Sequence, residues 1–130
     1  MRLKEQRLWD TFRRRGKGLW LQRIENPMVP GMPDVFCGAG NCWVELKAPD
    51  APKRHTTALL SKYGLNQDQV NWHIKAAHVG VRSFVLIRDS EKRLFLIPGS
   101  WGDYINEMTA RMFQENALAT DWDKILEVIG

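Results

Sequence analysis

The sequence predicts an α/β fold in which a helix, three strands, a second helix and a fourth strand are followed by a further strand and C-terminal helices around a mixed sheet. Two observations predict it. Apolar residues recur at helical spacing near the N-terminus and after Asn66, and short apolar runs bounded by turn residues separate these segments. At 130 residues the chain has the length of one domain, and we expect residues 1–130 to form a single domain.

The first elements follow from local signals. Residues 2–15 read as a basic amphipathic helix that ends at the glycines of positions 16 and 18. Residues 19–25 read as a strand, and three prolines then predict a rigid loop. Two strands, Val35–Cys37 and Cys42–Lys47, flank a Gly-Ala-Gly-Asn segment, which is typical of a hairpin with a four-residue loop.

The second half begins with a long loop over residues 48–64. Asn66 is a good N-cap, and Gln69 completes a capping-box pattern, so a second helix should start there and end at Gly80. The expected core-facing residues of this helix are Val70, Ile74 and Ala77. Strands at 83–87 and 94–97 follow, and then helices at roughly 100–115 and 120–128, with Met108, Met112 and Phe113 on an apolar stripe.

Composition excludes some classes of protein and leaves others open. No stretch approaches the roughly 18 apolar residues of a membrane span, and the N-terminus has no apolar signal-peptide region, so we expect a cytoplasmic protein without a membrane partner. The net charge of +4 names no partner, but residues 1–23 carry eight basic and two acidic residues, whereas residues 100–130 carry two and six. Such a basic end is typical of a polyanion-binding surface or of a solvated helix face.

The hairpin places three charged residues on one face. If the four-residue loop closes symmetrically, Asp34 lies opposite Glu45, with Cβ atoms about 5 Å apart. Because side chains alternate along a strand, Lys47 shares the face of Glu45. Like charges placed opposite each other destabilise a sheet unless a cation lies between them.

This arrangement suits a divalent metal. Mg²⁺ prefers hard oxygen ligands, which Asp34, Glu45 and the backbone carbonyl of Leu46 can supply, and Mn²⁺ could substitute for it. Lys47 could orient or deprotonate the water that attacks a phosphate, or stabilise the developing charge. The alternative is a surface hairpin with a salt bridge between Lys47 and one carboxylate.

The same residues resemble a nuclease superfamily. Gly31-x-Pro33-Asp34 followed by Glu45-x-Lys47 is similar to the PD-(D/E)XK signature, with its restriction-endonuclease-like core. Arg23-x-Glu25-Asn26 and Leu65-Asn66-x-x-Gln69 resemble the VRR-NUC branch and the related archaeal Holliday-junction resolvases. The resemblance spans about residues 3–88, and a small nuclease of this kind also resembles phage-encoded recombination proteins.

The resemblance implies roles for individual residues. Asp34 and Glu45 would bind the metal, with Glu5 as a further ligand, and Lys47 would act on the nucleophilic water. Gln69 would contact the Lys47 region or the phosphate, unless it serves only as a capping residue. The side chains expected to hold DNA phosphates are Arg13, Arg14, Arg15, Lys17, Lys53, Arg54 and Lys62.

We therefore predict an Mg²⁺-dependent endodeoxyribonuclease that is selective for branched DNA such as a Holliday junction, and that acts as a homodimer in replication, recombination or repair. Two alternatives stay open. One is a non-specific or nicking nuclease of branched or duplex DNA. The other is a non-catalytic nucleic-acid-binding module that kept the fold.

Overall fold

A computed structural model describes residues 2–130 and contains one five-stranded sheet flanked by helices. The elements in chain order are α1 (Leu3–Arg15), β1 (Leu21–Arg23), β2 (Val35–Cys37), β3 (Cys42–Lys47), α2 (Gln67–His78), β4 (Arg82–Arg88), β5 (Leu94–Pro98), a 3₁₀ segment (Gly99–Glu107), α3 (Ala110–Asn116) and α4 (Trp122–Ile129). Within residues 2–130, each helix is too short or too polar to cross a membrane.

The strands lie in the order β1-β2-β3-β4-β5. β1, β2 and β3 form an antiparallel meander, β3 and β4 are parallel, and β5 is antiparallel to β4. The parallel pair needs a crossover connection, and the segment that contains α2 provides it. The predicted α/β fold with a mixed sheet is confirmed, as are the bounds of β2 and β3.

Each face of the sheet is covered by its own hydrophobic cluster. On one face Leu8 and Phe12 of α1 and Ile125 of α4 pack against Val44 and Leu46. On the other face, α2, the 3₁₀ segment and α3 pack against alternate residues of β4 and β5, namely Val85, Ile87, Phe95 and Ile97. The period of two along β3 therefore points Glu45 and Lys47 away from α1 and toward α2.

The predicted core face of α2 is wrong by one position. Val70 is buried as expected, but Ile74 and Ala77 are exposed, and the other buried residues are His73 and Ala76. The prediction did not count His73 among the core-facing residues. In the structure its ring is completely buried, because a serine of β4 provides a hydrogen-bond partner within the core.

Two smaller differences concern segment ends and the C-terminal stripe. β1 is shorter than predicted, since Trp20 adopts a left-handed backbone (φ +55°) just before it and the pairing with β2 ends at Arg23. Met108 and Phe113 are buried, but Met112 is 45% exposed, because α3 is a short separate helix that begins only after Met108.

Candidate active site

The β2–β3 hairpin brings two carboxylates together at the end of β3. Its register pairs Cys37 with Cys42 and Val35 with Val44, so the next step outward sets Asp34 opposite Glu45, as predicted. Asp34 is held on both sides: its Oδ2 accepts the backbone N–H of Leu46 at 2.8 Å, and its carbonyl accepts that of Ile24 at 2.7 Å.

Gly31 fixes the loop that delivers Asp34. Its φ is +78°, which favours glycine, and a Cβ at this position would overlap the backbone of Asp68 in the first turn of α2. The glycine of the Gly-x-Pro-Asp motif therefore lets the loop before β2 pack closely against the start of α2. This contact brings the hairpin and the helix to the same site.

Glu45 is the most perturbed group of the site. It is 2% exposed, and this burial raises its pKa well above the ordinary value, with the neighbouring charge and hydrogen bond of Asp34 adding to the effect. The positive charge of Lys47 opposes the shift, and the negative charge of Glu5 reinforces it. Glu45 Oε2 accepts a hydrogen bond from Gln69 Nε2 at 3.3 Å, whereas the buried Oε1 has no hydrogen-bond partner among residues 2–130.

Lys47 is held beside the carboxylates without an ion pair. Its side chain is 9% exposed, and Nζ donates to the carbonyl of Gly64 at 3.3 Å and to Gln69 Oε1 at 3.2 Å. Among the ion pairs of residues 2–130, none joins Lys47 to Asp34 or Glu45. The alternative of a surface hairpin with a lysine–carboxylate salt bridge is therefore wrong.

Gln69 both caps the N-terminus of α2 and contacts two charged residues of the site. Its backbone N–H donates to the Asn66 side chain at 2.9 Å, and its Oε1 accepts the Asn66 backbone N–H at 3.0 Å, which completes the predicted capping box. The same amide accepts from Lys47 and donates to Glu45. It thus links the lysine, the carboxylate and the N-terminus of α2.

His73 is part of this cluster, although sequence reasoning did not include it. Its Nδ1 is 2.8 Å from Ser83 Oγ, and its Nε2 is 3.8 Å from Glu45 Oε1. Within the part of the chain that the structure describes, neither Nε2 nor Oε1 has a hydrogen-bond partner. Burial, followed by the charge of Lys47, lowers the pKa of His73 to about 4, so the ring is neutral at pH 7. A spacing signal was available, because Val70, His73 and Ala76 recur every three residues.

The carboxylates fit a divalent cation of the Mg²⁺ type. Residues 2–130 contain no group of three or more His, Cys, Asp or Glu side chains close enough to hold a metal by themselves. Mg²⁺, however, is usually held by only one or two carboxylates, with water and substrate oxygens completing its shell. Such an ion would give the unpartnered Glu45 Oε1 a ligand contact and would offset the negative charge of the two facing carboxyl groups.

Glu5 lies near these carboxylates but is not joined to them. It sits in the first turn of α1, its charge raises the pKa of Glu45, and its own Oε1 is 3.7 Å from Arg2 Nε. Arg2, which was not among the predicted residues, donates to the carbonyl of Ala48 at 3.0 Å and lies over the ring of Tyr63. The first turn of α1 therefore borders the site.

The basic residues predicted to hold DNA are not all brought to the site. Arg13, Arg14 and Arg15 are exposed at the opposite end of α1, about 12–15 Å along the helix axis from Glu5. Arg15 shares a groove there with Asp121, Asp123 and Glu127 of the acidic C-terminal segment. Lys17 is exposed in the turn after α1.

The other three predicted basic residues lie in the loop after β3. Lys62 is two residues from Gly64, whose carbonyl accepts from Lys47, and its Nζ is 5.5 Å from the centre of the Tyr63 ring. Lys53 and Arg54 are exposed further back in the same loop, and Lys53 lines a cavity together with Glu91 and Arg93. Of the predicted DNA-contacting residues, Lys62 is thus the one linked most directly to the carboxylate site.

Comparison with known proteins supports the fold. No protein-family model matches the chain, and no curated protein matches it. Among solved structures, it is similar to Hjc, a Holliday junction resolvase of the archaeal hyperthermophile Archaeoglobus fulgidus, with a TM-score of 0.58, 16% sequence identity and coverage of 98% of both chains. At this identity the likeness concerns the fold, and the VRR-NUC branch and phage source remain predictions.

Proposed function

We propose that the chain is a divalent-metal-dependent endodeoxyribonuclease that cleaves branched DNA of the Holliday-junction type. The observation that carries the proposal is the buried Glu45 carboxylate facing Asp34, with Lys47 held beside it. The likeness of the fold to an archaeal resolvase supports the choice of substrate.

The residues of the site have distinct parts in this proposal. Asp34, Glu45 and the carbonyl of Leu46 would hold Mg²⁺ or Mn²⁺, which would supply a lowered pKa of a water molecule and would offset charge on the scissile phosphate. Lys47 presents an ammonium group that its two acceptors fix in direction, so its remaining N–H can stabilise negative charge on the phosphate or the attacking water. The side-chain amide of Gln69 holds Lys47 and Glu45 in position, because it hydrogen-bonds to both.

Glu5 has a supporting part. Its carboxylate increases the negative potential around the site and so favours a cation there. Its Oε1 lies 3.7 Å from Arg2 Nε, so the guanidinium offsets part of this negative charge.

The proposal includes DNA as the partner and a homodimer as the active form. Cutting both strands of a junction symmetrically requires two sites, and one chain supplies one Asp34–Glu45 pair. Light scattering coupled to size-exclusion chromatography should give a mass near twice the 15.1 kDa of the chain.

The test is a cleavage assay. The purified protein is incubated with a labelled four-way junction, a linear duplex of the same sequence and supercoiled plasmid, each in Mg²⁺, Mn²⁺ or EDTA. We expect metal-dependent nicks placed symmetrically across the branch, which Glu45→Ala and Lys47→Ala abolish. Glu115→Ala, at an exposed carboxylate of α3, is the matched control and should cleave normally.

Each other outcome supports a different hypothesis. Binding without cleavage in any metal would show that the protein is a non-catalytic nucleic-acid-binding module. Equal cleavage of the duplex and the junction would leave a general nuclease. Cleavage that survives both site substitutions would refute the assignment of Glu45 and Lys47.

A further inference from the structure

A second charged feature lies next to the carboxylate site and has no part in the chemistry above. It is a cavity of about 240 Å³ between the first half of α1, the segment after β3 and the turn that joins β4 to β5. We call it the basic groove, and its lining residues are Lys4, Arg7, Ala48, Pro49, Arg88, Asp89, Ser90 and Lys92.

The groove is positive because four cationic side chains line it against one carboxylate, Asp89, which is paired with an arginine that also contacts Glu91 Oε2 at 3.1 Å. Asp89 Oδ2 accepts from Arg93 Nε at 2.6 Å, and its Oδ1 accepts two backbone N–H groups of the same turn. Lys4 pairs with Asp50, but none of the ion pairs formed within residues 2–130 involves Arg7, Arg88 or Lys92.

The groove also offers donors in suitable positions. Lys4 and Arg7 are three residues apart and so share one face of α1. Ser90 Oγ accepts the backbone N–H of Ala51 at 2.8 Å, which leaves its hydroxyl proton free to donate. Arg88 is held at the inner side, where its Nη1 donates to Thr11 at 3.3 Å.

The turn presents Lys92 at some energetic cost. Lys92 has a φ of +68°, a conformation that glycine and asparagine adopt more readily than lysine. Its backbone N–H donates to the carbonyl of Asp89 at 3.0 Å, which closes the turn. A residue that favours this backbone would relax the turn but would remove a charge from the groove.

The position of the groove connects it to the carboxylate site. Ala48 and Pro49 directly follow Lys47, and two extended residues advance by roughly 7 Å. This corresponds to one or two nucleotides of one strand of B-DNA, because the helix axis rises by roughly 3.4 Å per nucleotide while the winding backbone separates neighbouring phosphates by more than that rise. Lys4 is also adjacent to Glu5, whose charge acts on Glu45.

We infer that the basic groove binds a backbone phosphate of the DNA one or two nucleotides from the scissile phosphate. Arginine and lysine side chains that lack a carboxylate partner are the groups that neutralise phosphates, and arginine can do so with two hydrogen bonds. This inference rests on the proposed function, because it assigns a binding position for the same substrate.

The experiment measures binding of a fluorescent four-way junction in EDTA, by anisotropy, over a range of salt concentrations. Arg7→Ala combined with Lys92→Ala should weaken binding at least tenfold and lower the slope of log K against log salt by about 1–2. The control combines Arg111→Ala with Lys124→Ala, which removes the same charge from exposed positions on α3 and α4 and should change binding less than threefold. Arg7→Lys should restore most of the affinity lost in Arg7→Ala.

A second readout separates this inference from the catalytic one. In Mg²⁺, the groove variant should reach the wild-type cleavage rate at saturating junction while its KM rises about tenfold, because Asp34, Glu45 and Lys47 are untouched. If the groove variant binds DNA with wild-type affinity and salt slope while the wild type still cleaves, the inference about the groove is wrong but the proposed function stands. A wild-type protein that neither binds nor cleaves DNA would overturn the proposed function, and the groove inference with it.

A third arm identifies the source of the phosphate. Inorganic phosphate or a single junction strand is titrated into ¹⁵N-labelled protein. We expect inorganic phosphate to shift the amide resonances of the groove much less than the DNA strand does. Tight binding of free phosphate in the groove, together with unchanged DNA affinity in the variant, would contradict a role in holding the DNA backbone.

Discussion

Replacing Glu45 with glutamine should make the metal-free protein more stable while it abolishes cleavage. The two carboxylates face each other across the hairpin, where facing Cβ atoms are about 5 Å apart. Taking that separation for the charges, their repulsion is about 3 kcal/mol at an effective dielectric constant near 20. The attraction between Glu45 and Lys47 offsets part of this, and glutamine keeps an acceptor for Gln69. We expect a net gain of about 1–2 kcal/mol at pH 8 in EDTA, or roughly 3–8 °C in Tm.

The gain should depend on pH with a definite sign. The pKa of Glu45 is raised in the folded state, so folding favours the protonated form. Below the pKa of the unfolded chain, about 4.3, both states carry the protonated acid and the wild type and variant should be equally stable. As the pH rises above that value, the wild type loses stability relative to the variant, until Glu45 ionises in the folded state as well.

The assay is urea unfolding of both proteins from pH 4 to pH 9, with and without Mg²⁺. Metal that binds only the folded wild type should raise its stability by about 1.4 kcal/mol when the concentration is ten times Kd, and the variant should gain less. Glu115→Gln, at an exposed ion pair, should change stability by less than about 0.5 kcal/mol at every pH. A less stable Glu45→Gln protein at pH 8 in EDTA, or a difference that does not vary with pH, would refute this reasoning.

Two further substitution pairs test the surroundings of the site. Asn66→Ala removes the N-cap acceptor and should cost about 1 kcal/mol with little change in kcat. Gln69→Ala keeps that N-cap bond but removes the reciprocal bond of the capping box and the contacts to Lys47 and Glu45, and should lower kcat 10–100-fold. Equal kcat values in the two variants would show that Gln69 acts only as a capping residue. Gly99→Ala places a Cβ against the His73 ring and should lower the free energy of unfolding by about 2 kcal/mol, measured in urea. Gly18→Ala is the control, because its Cβ would meet nothing within 4 Å and the change should be close to neutral. Similar losses of stability in the two variants would show that the contact with His73 is not decisive.

Local rules explain why much of the site was predictable. The four-residue loop between Cys37 and Cys42 sets the hairpin register, and that register alone determines that Asp34 faces Glu45. The capping box sets the start of α2 through contacts that span three residues. Both devices act within a few positions of the chain, so no tertiary contact is needed to read them.

The core face of α2 shows where this reasoning fails. His73 faces the core beside Ser83 of β4, a strand that the parallel pairing with β3 brings next to α2. A polar side chain is buried when a partner is present, and that partner is remote in sequence. Periodicity without this knowledge placed Ile74 and Ala77 inside.

The sequence by itself determined the element order, the hairpin register and the group of Asp34, Glu45 and Lys47, because hydrophobic periodicity and turn chemistry are local. Only the tertiary structure decided which basic residues lie near that group. The length of α1 carries Arg13–Arg15 about 12–15 Å away from its first turn, whereas Lys4, Arg7, Arg88 and Lys92 converge from two distant segments. A charge can be counted from the sequence, but its potential depends on the distances that the packing of α1 and the β4–β5 turn sets.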